Sequence, residues 1–148
     1  MLTGVCIFQP SFQAGYEQAL ELRHSWQKVR KDGPSGLNAE QENAFLNAEV
    51  IYVSPLARAV ETAAVALRGH PAMKKTKPVV ISRHLREIKK GLHNIDSVGF
   101  VTGPKIVERC SKALSELSPD DGRAAKHVKW DYTDVKTAWW TPGTYQPA

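Results

Sequence analysis

Val50-Ile51-Tyr52-Val53, followed at once by Ser54-Pro55-Leu56-Ala57-Arg58-Ala59-Val60-Glu61-Thr62-Ala63, constrains this chain more than any other stretch. A run of β-branched and aromatic side chains suits a buried strand. Ser54 is an N-cap residue type, and Pro55 fits the first helical position, where no N–H is needed. The pattern predicts a strand feeding directly into a capped helix over 55–67. At such a junction the unpaired N–H groups and the positive end of the helix dipole face the strand end. Arg58, on the first turn, would add a forked and permanently charged donor, so Ser54 and Arg58 together suit a phosphate. The plainer alternative for Arg58 is a solvated arginine on a surface helix.

The pattern continues as an α/β unit. Pro78 to Ser82 reads as a second strand after the turn residues Gly69-His70-Pro71 and a lysine-rich loop. A strand, helix and strand in this order imply a parallel crossover, and the carboxyl end of such a sheet is where ligands bind. Leu56, Val60, Ala63 and Leu67 recur at helical spacing and form a stripe to pack on the sheet. Upstream, Gly4 to Phe8 reads as a short strand and Phe12 to Arg30 as a helix capped by Ser11. Asp32-Gly33-Pro34-Ser35-Gly36 breaks the chain before a helix over 37–48, with Asn38 as its cap. Downstream, Lys105 to Leu117 is amphipathic through Ile106, Cys110 and Leu114, and Ser118-Pro119-Asp120-Asp121-Gly122 reads as its stop. Residues 123–148 have little periodicity and are expected to form an extended tail on a single domain spanning 1–148.

Twenty Lys and Arg against fifteen Asp and Glu give a net charge of +5, which favours anionic ligands. The basic residues are scattered, apart from Lys74-Lys75-Thr76-Lys77 and Lys89-Lys90, and no zinc spacing or RNA-binding aromatic motif occurs, which argues against nucleic acid. Cys6 and Cys110 are isolated thiols without a CxxC pattern, and Val5-Cys6-Ile7-Phe8 is too short for the apolar core of a secretory signal. The expectation is a cytoplasmic or other reducing intracellular compartment. No apolar run approaches a membrane span.

Ser54-Pro55-Leu56-Ala57-Arg58-Ala59 with Thr62-Ala63 resembles the S-P-L-x-R-A-x-x-T-A signature of the histidine phosphatase superfamily, also called phosphoglycerate mutase-like. Leu85-Arg86-Glu87-Ile88-Lys89-Lys90-Gly91 is similar to the family's L-x-E-x-x-x-G segment. Asp96-Ser97-Val98-Gly99 with Gly103, Ile106 and Arg109 is a weaker echo of a stretch that follows the glutamate in some members. The resemblance implies a phosphoglycerate mutase-like parallel sheet with flanking helices. It also implies a phosphohistidine-type site acting on a phosphorylated small molecule or phosphoprotein, without metal or organic cofactor. The family's nucleophilic histidine lies in an R-H-G motif and a second histidine lies near the tip of a late strand. No R-H-G occurs here and no histidine follows Trp140. The chain therefore reads as a family member incomplete at both ends. An alternative role follows, as a noncatalytic domain that keeps the phosphate cradle and serves as a binding or assembly subunit. An uncovered sheet edge would then seek a protein partner or a second copy.

Within that resemblance Arg58 and Ser54 hold phosphate, and Glu87 is the general acid for the leaving oxygen. Between Arg86 and the lysines, Glu87 reads equally well as a solvated carboxylate. Arg23-His24 is the only Arg-His pair ahead of Ser54, so His24 is the candidate nucleophile and Arg23 its phosphate-holding neighbour. Against this, Ser25 stands where the family has glycine, and the pair lies in a helix-period segment. His70, His84, His93 and His127 have no partner spacing that suggests a metal. Trp139-Trp140 reads as a pair packed on the domain surface.

Overall fold

The computed structural model describes residues 10–73, 77–85 and 101–139. The predicted strand, helix and strand form its centre. Strand β1 (Ile51–Val53) leads into helix α3 (Ala57–Ala66) and returns as β2 (Val79–Ile81), which pairs with β1 in parallel, Ile51 against Val79 and Val53 against Ile81. A third strand, β3 (Trp130–Asp131), pairs in parallel on the other side of β2, giving the order β1-β2-β3. Parallel neighbours cannot be joined by a tight turn, so each return passes through helix. The second return includes α4 (Pro104–Leu117) and α5 (Pro119–His127). The class is α/β, as the sequence predicts.

Hydrophobic pattern accounts for the core. Val60 and Ala63 of α3 are buried, and Leu56 and Leu67 lie partly buried against the same cluster. Ile106, Cys110 and Leu114 of α4 join them with Val79 and Ile81 from the central strand. Helix α1 (Pro10–Asp32) lies on α3, where the Trp26 Nε1 donates to the Ala66 carbonyl at 2.6 Å. It ends in the left-handed cap that the breaker predicts: Gly33 has φ 88° and its N–H returns to the Val29 carbonyl at 2.8 Å. Ser11 lies inside this helix, which begins at Pro10, and so is not its cap. Helix α2 (Ala39–Leu46) follows Asn38 and buries none of its residues.

Several sequence expectations need correction. Among the described strands β1 lies at the edge, and it is not buried throughout: alternate residues point to opposite faces, so Val53 is buried and Ile51 packs partly buried against the core, whereas Tyr52 is 61% exposed. Pro55 is not the first residue of α3, since the helix begins at Ala57 with Leu56 extended at its start. Residues 123–139 are not a tail. They complete α5, add β3 and contribute the buried Val135 and Trp139 to the core. Trp139 is therefore not a surface residue, and its Nε1 donates to the Val101 carbonyl at 2.8 Å. The predicted Gly4–Phe8 strand and Trp140 lie outside the described residues.

The stop at Ser118 is also a start. Ser118 adopts an extended conformation that ends α4, and its Oγ accepts the Asp121 N–H at 3.3 Å as the N-cap of α5. Pro119 takes the first position, and Asp120 and Asp121 fill the first turn, where carboxylates oppose the helix dipole. Gly122 then lets α5 lie directly on α4: a Cβ there would sit 2.7 Å from both the Ser111 carbonyl oxygen and the Ser115 nitrogen.

Candidate functional site

The carboxyl edge of the sheet gathers polar residues from all three strand ends. The Ser82 N–H donates to the Val53 carbonyl at 2.9 Å, extending the β1-β2 ladder so that Ser54 and Ser82 leave the sheet side by side. Ser82 Oγ donates to Asp134 Oδ2 at 3.0 Å, and Arg83 Nε donates to the Asp134 carbonyl at 2.7 Å. These two bonds strap the short helical turn Thr133–Val135 across the end of β2. At the tip of β3, Asp131 Oδ1 accepts from the Thr133 hydroxyl at 2.6 Å and its N–H at 2.9 Å. The Thr133 hydroxyl, with the backbone N–H second, holds the Asp131 carboxyl below the usual range.

Ser54 and Arg58 lie at this edge. The Leu56 N–H meets Ser54 Oγ at 3.4 Å, so Ser54 closes a local turn before the helix and does not cap it. Arg58 is the second residue of α3 and is exposed, with its stem on the turn nearest the end of β1. Ser82, Arg83 and Asp134 are additional polar groups at this edge. Ser82 and Arg83 are suggested by their place at the last residue of the second predicted strand and just after it, whereas Asp134 lies in the segment expected to be tail.

Arg23 and His24 are elsewhere. Arg23 Nη1 donates to Asp121 Oδ1 at 2.9 Å and reaches the Val65 carbonyl at 3.4 Å. Val65 lies one residue from the end of α3, roughly 10 Å along the helix from Arg58 at 1.5 Å per residue. Arg23-His24 and Arg58, whose proximity the sequence leaves open, are not brought together: Arg23 docks at the opposite end of α3, and His24 is exposed on α1. The physical reason is Asp121, which is 2% exposed and accepts from Tyr16 Oη at 2.7 Å and Arg68 Nη1 at 2.8 Å as well. Burial pushes the Asp121 carboxyl up, but the hydrogen bonds from Tyr16, Arg68 and Arg23 outweigh it and hold it below the usual range. The Tyr16 phenol is pushed up, first by burial and then by donating to that carboxylate. Glu87 lies outside the described residues, as do His93 and Cys6.

His70 is a core histidine, 3% exposed, with the rings of Trp26 and Phe45 set edge-on at 5.1 and 4.9 Å. His84 and His127 are exposed, and His127 Nδ1 lies 2.8 Å from the Arg123 carbonyl on its own helix. Among the described residues no three His, Cys, Asp or Glu side chains cluster to hold a metal ion, and no helix is long and apolar enough to cross a membrane.

No protein-family model matches the chain, and comparison with curated proteins and with solved structures finds no match either.

Proposed function

We propose that this chain is a histidine phosphatase-like domain that binds phosphomonoesters at the carboxyl edge of its sheet without turning them over. The observation that carries the reading is the β1-α3-β2 unit, which sets Arg58 on the first turn of a helix that follows directly from a parallel strand. A guanidinium there, near early helical N–H groups, matches a phosphoryl group in charge and in donor geometry. The resemblance of Ser54 to Ala63 and of Leu85 to Gly91 to the family's motifs favours the same ligand class and a phosphoglycerate mutase-like ancestry.

The noncatalytic form of the reading is favoured by Arg23. Its Nη1 is committed to Asp121, so the Arg-His pair that would supply the nucleophile is anchored at the far end of α3. The test is to incubate purified protein with para-nitrophenyl phosphate and with a phosphorylated sugar acid, following release of phosphate and saturable binding. Binding without turnover above the buffer background supports the proposal. Turnover that disappears in His24→Ala, with acid-labile phosphohistidine on the wild type, would establish the enzyme instead.

A further inference from the structure

Helix α4 has two chemically distinct faces. Ile106, Val107, Cys110, Ser111 and Leu114 are buried, whereas Lys105, Arg109 and Lys112 recur at intervals of four and three and lie on one exposed stripe. Helix α5 is brought close by Gly122, whose missing side chain is the condition for its contact with Ser111 and Ser115. One turn further along α5, Lys126 faces the same stripe across an open groove of about 600 Å³. Among the described residues the groove is lined by Lys105, Arg109, Lys112 and Lys126, by the carboxylate of Glu108, and by Ser115.

We propose that this groove is a second anion site, which takes a compact ligand carrying several clustered phosphate groups. Charge is the first reason: Lys105, Lys112 and Lys126 form no ion pair among the described residues, and with Arg109 they outnumber the Glu108 carboxylate in the groove, which leaves it net positive. Shape is the second. Lys105 and Lys112 are roughly 10 Å apart along the helix axis, a span suited to two or three adjacent phosphates and short for a nucleic acid strand. Chemistry is the third, because among the described residues the lining offers no aromatic ring on which a base could stack. The site does not depend on Arg58 or on the carboxyl edge of the sheet.

Titration calorimetry with tripolyphosphate and with inositol hexakisphosphate tests it, comparing Lys112→Glu/Lys126→Glu with Lys28→Glu/Lys31→Glu. The second pair makes the same change of net charge at exposed positions on α1. Circular dichroism confirms that both variants are folded. Saturable binding that weakens with salt, falls about tenfold or more in the first variant and changes little in the second supports the site. Binding should persist in Arg58→Ala, which separates this groove from the sheet edge. Equal weakening by both reversals would reduce the effect to overall charge and overturn the proposal, as would absence of saturable binding. Tighter binding of a single-stranded oligonucleotide, lost with the same two lysines, would overturn it in favour of a nucleic-acid surface.

Discussion

Arg23 on α1 and Asp121 on α5, 98 residues apart in the chain, meet at 2.9 Å in a pair whose side chains are 15% and 3% exposed. Arg68 and Tyr16 complete the coordination of the same carboxylate. Removing the carboxylate leaves the largely buried Arg23 guanidinium without its counter-charge, and removal of one member of a buried pair is strongly destabilising. Asp121→Ala should therefore lower the free energy of unfolding by about 3 kcal/mol. Arg23→Ala leaves Asp121 its bonds from Arg68 and Tyr16 and should cost about 1–2 kcal/mol. Urea unfolding of both variants checks the order, which an equal or reversed ranking would contradict.

The lowered pKa of Asp121 gives this cluster a pH signature. In the unfolded chain the group titrates near 3.8, so its stabilisation is complete above that value and is lost as pH falls through the lower folded value. Asp121→Asn removes the titration. Thermal melts from neutral pH to about pH 3 should show the gap between wild type and this variant narrowing only in the acid limb.

His70 titrates in a higher window. Burial pushes its pKa down and Arg30 adds to this. The Phe45 carbonyl opposes the shift, though too poorly placed to count as an acceptor, since Nε2 has no partner of ordinary geometry among the described residues. A lowered histidine pKa means that the unfolded chain takes up the proton first. The resulting stability is present above pH 6.5 and is lost as pH falls from there toward the folded value. His70→Asn keeps an acceptor for the Ala72 N–H, which now meets Nδ1 at 3.1 Å, and carries no proton. Between neutral pH and about pH 5 the wild type should lose more thermal stability than this variant. Parallel curves would place the acid sensitivity elsewhere.

Gly122→Ala should be destabilising although alanine is the better helix former. Its Cβ would meet backbone atoms of Ser111 and Ser115, which cannot rotate away. Overpacking of this kind costs about 2 kcal/mol, against less than about 1 kcal/mol gained from helix propensity. Denaturant midpoints decide the sign.

Ser118→Ala removes the side-chain acceptor for the Asp121 N–H and should cost about 1 kcal/mol. Ser118→Asp should retain most of the stability, because an aspartate caps in the same way. A full loss in both variants would assign Ser118 a packing role.

Much of the fold could be read locally. Val60 and Ala63 announced the buried face of α3, and Ile106, Cys110 and Leu114 that of α4, because helical spacing is a property of neighbours in sequence. Gly33 announced the end of α1 for the same reason. The failures were of two kinds. Ser118-Pro119-Asp120-Asp121 ends one helix and begins the next, and those residue types serve both purposes, so a stop was read where a start was equally encoded. Asp121 itself became legible only in three dimensions, since nothing near it in sequence indicates that Tyr16, Arg23 and Arg68 converge on it. The same long-range requirement decides where Arg23-His24 lies: the arginine is used for packing helices together. Of the candidate site, Ser54 and Arg58 followed from the strand-to-helix junction, while Asp134 depended on a strand pairing that two residues of β3 signal only weakly.

The most direct measurement for the central claim is the affinity for inorganic phosphate in wild type, Arg58→Ala and His24→Ala, followed by isothermal titration or by phosphorus resonance shifts. Saturable binding that is weakened about tenfold or more by Arg58→Ala and left unchanged by His24→Ala is the predicted result. Binding that survives Arg58→Ala in a Lys112→Glu/Lys126→Glu background, or that is lost with His24, would contradict a noncatalytic phosphate site at the carboxyl edge of the sheet.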